Sequence, residues 1–169
     1  MKVSPIARSE SSFKVKRSEF LGFLDHISKT EHVNGNLKMN QKVPCEEAFR
    51  LCKNALEQND ISAESADAIA KSLIDAELQG KSNVGWPHLV DYLEAVQEGR
   101  VDGQASPKIN RSAPALFQID ADGGFPHTGV EQVFDEFVEI TKNYGISALG
   151  VNNGYISGEL GYFVRRLAN

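Results

Sequence analysis

The chain of 169 residues has little of what marks several functional classes. It holds two cysteines, Cys45 and Cys52. Seven positions apart on one expected helix, they stand about two turns from each other, which disfavours a disulfide. Reduced, buried thiols of a cytoplasmic protein are the expectation. The four histidines, His26, His32, His88 and His127, have no metal-ligand spacing, and no metal site is expected. No apolar run approaches the roughly 18 residues of a membrane span. No apolar stretch with a small-residue cleavage site marks a secretory signal. A net charge of −5 argues against a general nucleic-acid surface. A G-x-S-x-G nucleophile elbow and a G-K-S/T phosphate loop are both missing, and Gly150, Gly154 and Gly158 do not form the G-x-G-x-x-G fingerprint. There is no internal repeat and no low-complexity tract.

What is present is an ordinary globular composition, 41% apolar and 24% charged, long enough for one domain. Residues 1–38 stand apart, with seven Lys or Arg against four Asp or Glu. Glu19–Ile27 could form a short helix there, but the segment as a whole is expected to be a disordered extension. From Pro44 the chain becomes regular. Pro44, Glu46 and Glu47 suit a helix start, and Cys45, Ala48, Phe49, Cys52 and Leu56 form one apolar stripe. Ser62 can cap a second helix with Ala66, Ile69, Ala70, Leu73 and Ala76 on one face, stopped by Gly80. A third runs from Pro87 to Gly99 with Leu89, Tyr92, Leu93 and Val96 inward. Arg100–Ser112 reads as an extended polar connector.

The remaining stretch alternates. Ala115–Ile119 is strand-like, and Asp120–Gly129 reads as a glycine loop. From Val130 the period becomes helical through Val133, Phe134, Phe137, Val138, Thr141 and Tyr144, ending at Gly145. A second strand, Ile146–Val151, a second loop, Asn152–Gly158, and a helix from Glu159 follow. This order is how α/β proteins present backbone N–H groups to phosphates. His88, near a helix start, and His127, in the first glycine loop, carry the side chain best suited to proton transfer near neutral pH.

Taken together, residues 39–169 resemble the amino-terminal half of the malate/L-lactate dehydrogenase family, which is distinct from the Rossmann-fold dehydrogenases. The resemblance rests on Ser62–Leu78 running into Gly80-Lys81-Ser82-Asn83-Val84-Gly85, then on Leu89–Leu93 and Glu98-Gly99. It continues through Pro114-Ala115, Ile119–Gly124, Tyr144–Ile146, and Asn153–Gly158 leading into Gly161-Tyr162-Phe163. It implies an α/β (α+β) fold: a helical subdomain at 39–106, then an incomplete, non-Rossmann cofactor-binding sheet with helices at 107–169. It also implies a homodimer and hydride transfer between NAD or NADP and a 2-hydroxy/2-oxo acid or cyclic imine. Asp122, Gly123, Gly124, His127, Thr128, Asn153, Gly154 and Gly158 are the residues it places against the cofactor.

The chain departs from the family where the chemistry sits. The family loop reads Gly-x-x-Ser-His-Gly, with its histidine as acid/base; here Asn83 and Val84 stand at those two positions. The arginine four residues on, which commonly binds the substrate carboxylate, is His88. The usual Asn-His-Phe-Gly becomes Tyr155-Ile156-Ser157-Gly158. His88 is therefore the candidate catalytic residue, as proton donor or carboxylate ligand. Members are about twice as long as the matched stretch, so a truncated reading frame, inactive by itself and binding cofactor weakly if at all, is expected. The alternative expectation is a non-catalytic pseudoenzyme, or an interaction partner of a full-length relative.

Overall fold

The computed structural model describes residues 12–14 and 42–168. The first strands, β1 (Ser12–Lys14) and β2 (Lys42–Pro44), pair antiparallel with Phe13 opposite Val43. The rest of the extension at 1–38, including the Glu19–Ile27 helix, lies outside the described residues.

Three helices follow. In α1 (Cys45–Gln58) the acidic Glu46 and Glu47 face the positive end of the helix dipole, and Ala48, Cys52, Ala55 and Leu56 are buried. The next helix, α2 (Ala63–Leu78), starts where Ser65 N–H donates to the Ser62 hydroxyl at 3.3 Å. Its buried residues, among them Ala66, Ala68, Ala70, Ser72 and Ala76, lie on more than one face. Small side chains let neighbours approach from several directions, which makes α2 the central element. Pro87 occupies the first turn of α3 (Trp86–Gln97), whose Leu89, Tyr92 and Leu93 turn inward as expected.

The connector differs from its expectation. Lys108–Ala113 forms β3, antiparallel to β4 (Leu116–Asp120), with Ile109 opposite Ile119 and an irregularity between Arg111 and Ala113. All of β3 but Ala113 is exposed, so no buried face left an apolar alternation to read. In β4 the alternation is clear: Phe117 and Ile119 are buried between exposed neighbours. Helix α4 (Pro126–Tyr144) begins four residues before the change of period at Val130, so His127 lies in its first turn rather than in a loop. Its end is as expected, at a left-handed Gly145. A parallel strand, β5 (Ala148–Asn152), then pairs with β4, and α5 (Gly161–Ala168) starts two residues later than expected.

The sheet is mixed, in the order β3-β4-β5, with α4 packed on it. A Cβ at Gly129 would overlap Ile119, so glycine there lets α4 lie close over β4. Phe117, Ile119 and Val133 form this smaller core, while Phe125 joins the larger one between α1, α2 and α3. The helices and the β4-α4-β5 unit are also tied by polar contacts. Ser65 and Thr128 share a buried hydroxyl hydrogen bond of 2.8 Å, and Gln132 donates to Glu64. The whole is an α/β fold.

Candidate functional site

The two glycine loops meet at the carboxyl ends of β4 and β5. Ala121 N–H donates to the Asn152 carbonyl at 2.9 Å, Gly123 N–H to Asn153 at 2.8 Å, and Tyr155 N–H to Gly124 at 2.9 Å. Asp120 accepts from the Asp122 N–H and from the Asn153 amide, each at 2.9 Å, and these bonds lower its pKa. Asp122 and Asn153 are both left-handed, with φ of 55° and 51°, conformations that Asp and Asn tolerate better than most side chains. Beside this junction lies a cleft of about 560 Å³ between α4, β5 and α5. Val130, Phe134, Leu149 and Phe163 contribute apolar wall, and Asn153 and Ser157 contribute polar edge. An apolar cavity with a few polar groups is the usual form of a small-molecule site.

Behind the loop 154–158 is a second, buried cluster. Glu77 anchors the start of α3 by accepting from the Trp86 N–H at 2.8 Å. One turn apart on that helix, His88 and Tyr92 meet edge to face, with ring centroids 5.7 Å apart. Tyr92 also contacts Phe125, Tyr155 and His127, the last at 6.1 Å. Tyr155 is held by Arg100, which donates to its hydroxyl, and in turn donates to Asp91 at 3.3 Å. His127 is 1% exposed and lies 5.8 Å from the Phe163 ring of the cleft wall. Burial pushes its pKa down to about 4; the Ser157 backbone opposes that shift in part and His88 adds to it, so the imidazole is neutral at pH 7. A Cβ on Gly158 would stand 3.0 Å from the Tyr92 hydroxyl and 3.5 Å from His88 Nδ1.

The residues singled out in the sequence are thus divided between two places. Asn153 and Gly154 line the cleft. His88, His127 and Gly158 belong to the buried cluster. Asp122 pairs with Lys108 at 2.8 Å, Gly123 and Gly124 hold the second loop through their backbones, and Thr128 bonds Ser65. Val84 ends the 3-10 turn Ser82–Val84 and is half-buried. Sequence reading took Tyr92 for core and Phe163 for the face of the last helix, with no site role for either; the i, i+4 spacing of His88 and Tyr92 was a signal that they share a face. Among the described residues no group of three His, Cys, Asp or Glu could hold a metal ion, and no helix is long and apolar enough to cross a membrane.

A three-stranded mixed sheet flanked by helices, with paired glycine loops beside an apolar cleft at its strand ends, defines an α/β protein. Residues 43–169 match the malate/L-lactate dehydrogenase family, and the chain belongs to it. Among its relatives, the delta(1)-pyrroline-2-carboxylate reductase of Ancylobacter novellus is 31% identical over 109 residues, 64% of this chain and 32% of that protein. The (2R)-3-sulfolactate dehydrogenase (NADP(+)) of Chromohalobacter salexigens is 26% identical over 77% of this chain and 39% of its own length. The fold is that of delta1-piperideine-2-carboxylate reductase from Pseudomonas syringae, with a TM-score of 0.72 at 22% identity over 75% of this chain and 38% of that one. The chain spans about a third of the length of the curated relatives it matches.

Proposed function

We propose that this chain is part of an NAD(P)-dependent oxidoreductase that interconverts a 2-oxo acid or cyclic imino acid with its reduced form. Family membership supports the reaction class, and relatives named for pyrroline-2-carboxylate and sulfolactate support the substrate class. The observation that carries the reading is the hydrogen-bonded junction of the two glycine loops over an apolar cleft, with His88 on the far side of the same loop. The cleft's volume and its polar edge at Asn153, Gly154 and Ser157 fit part of a dinucleotide. When bound, the nicotinamide supplies the hydride. His88 donates the proton or holds the carboxylate, since Val84 can do neither. NADPH fluorescence titrated with the chain should change only weakly, towards millimolar cofactor, as expected of a chain that supplies part of the cofactor's walls; no change even there would refute cofactor binding by this chain. In an assembly that turns over a 2-oxo acid, His88→Ala should remove most activity, and unchanged turnover would exclude His88 from the reaction.

A second reading is a non-catalytic partner of a full-length relative. The observation favouring it is Val84, a side chain that cannot move a proton, at the family's histidine position. Binding to such a relative without NADPH binding of its own is the result that selects it.

A further inference from the structure

Helix α5 is held to the body by charge more than by burial. Among its residues Tyr162 alone is buried, while Val164 and Leu167, with Leu160 just before the helix, are half exposed or more. Its eight residues are too few for a helix to stand alone in water, so α5 persists only while docked. Ion pairs to three other parts of the chain dock it. Arg165 pairs with Asp75 of α2 and with Glu159, and Arg166 pairs with Glu131 of α4. Glu159 in turn pairs with Lys81 of the Gly80–Gly85 turn at 2.6 Å. Arg166 also lies over the Phe134 ring, 3.7 Å from its centroid.

Glu159 is the pivot of this arrangement. Its carboxylate accepts from the Gly161 N–H at 3.0 Å, where a Cβ on Gly161 would overlap the same oxygen. One side chain thus forms the first turn of α5 and ties that turn to Lys81. Gly158, immediately before it, has φ 64°, and a glycine changes backbone conformation there at little steric cost. The helix also stands where movement matters. Leu160, Phe163 and Leu167 form one wall of the cleft, and Phe134, Phe137 and Leu149 belong to the others. An element with few buried apolar contacts opens at a lower free energy than the fold as a whole.

We propose that α5 is an ionically latched wall of the cleft. With its pairs formed, α5 closes that side; with them weakened, it swings on Gly158 and leaves Phe134 and Leu149 open to solvent. The latch responds to ionic strength, because the side chains of Lys81 and Arg165 are 48% and 30% exposed and counterions reach them. It does not depend on the dehydrogenase reading, since it governs access to the cleft and not what enters.

The test follows amide hydrogen exchange by NMR in the 169-residue chain, at about 0.05 M and about 1 M NaCl and constant pH. Amides of residues 165–168 should exchange roughly tenfold faster at high salt, while those of residues 137–144 in α4 keep their rates. Arg165→Met, which keeps the bulk and drops the charge, should exchange fast at low salt and respond little to further salt. Where that variant does not fold, Arg166→Met and Lys81→Met each remove one pair and serve the same comparison. If α4 and α5 accelerate together, α5 opens only with the whole fold and the latch is refuted. If neither salt nor these substitutions change exchange in α5, apolar contacts hold the helix and the latch is equally refuted. Access is read separately, in a Cys45→Ser chain carrying Leu149→Cys, with iodoacetamide as a neutral reagent. The new thiol should be alkylated faster at high salt, in step with exchange in α5. An unchanged rate beside faster exchange would show that α5 moves without uncovering the cleft, and would overturn the gating.

Discussion

Glu159 shows how a single residue fixes the neighbourhood of the site. Its side chain is 8% exposed; it accepts from Lys81 at 2.6 Å and pairs with Arg165, which also pairs with Asp75 of α2. Burial opposes the charged form, but the Lys81 and Arg165 cations outweigh it and lower the carboxyl's pKa. The Gly80–Gly85 turn, α2 and α5 are thereby pinned together. Glu159→Gln should cost about 1–3 kcal/mol in urea unfolding, because it removes the buried charge that accepts from both cations. Gly158 is the opposite case, a residue defined by what it lacks. Gly158→Ala introduces a Cβ 3.0 Å from the Tyr92 hydroxyl and strains a φ of 64°. It should destabilise the fold by about 1–2 kcal/mol in urea unfolding while far-UV circular dichroism stays unchanged.

Among the elements, α2 and α4 hold the cleft and the buried cluster in place. The start of α2 is secured by the Ser62 hydroxyl, which meets both the Ser65 N–H and the Ser65 hydroxyl, the latter at 2.9 Å. Ser62→Ala should lower stability by about 1 kcal/mol in a thermal melt. Helix α4 carries His127 to the cluster because Gly129, two residues on, lets it lie against Ile119. Gly129→Ala forces the helix off β4 and should cost about 1–3 kcal/mol. In the same protein the His127 imidazole resonance should shift, since its contacts with Tyr92 and Phe163 depend on where that first turn sits.

At the scale of the whole molecule, the buried cluster couples stability to acid. His127 has an ordinary pKa of 6.5 when exposed and about 4 in the fold. Between those values the unfolded chain binds a proton that the folded chain refuses, so stability is full above pH 6.5 and falls as pH drops towards 4. At about 1.4 kcal/mol per unit the loss is on the order of 3 kcal/mol. Glu159 and Asp67 also have lowered values, so their contribution is present above the ordinary carboxylate range and disappears as pH falls further. Urea midpoints measured from pH 7 to 3 should therefore decline in two stages, and His127→Leu should remove the first stage alone. A single-stage decline in the parent chain, confined to below pH 4, would show that His127 is not buried as a neutral imidazole.

Much of this was legible in the residues. Ser62, Pro87, Gly80 and Gly145 bound their helices because capping, proline geometry and left-handed backbone are local properties. The apolar alternation around Phe117 and Ile119 marked β4, and the order of glycine loops carried the family resemblance. Exposed β3 had no such signal, and the start of α4 was hidden because Phe125 to Gly129 are all buried, so no exposed face set a helical period there. Only the tertiary structure brought residues 88, 92, 127 and 158 into one place. Periodicity reports which side of a segment is apolar, whereas the meeting of α3, α4 and a distant loop depends on how closely alanine-rich α2 lets its neighbours pack.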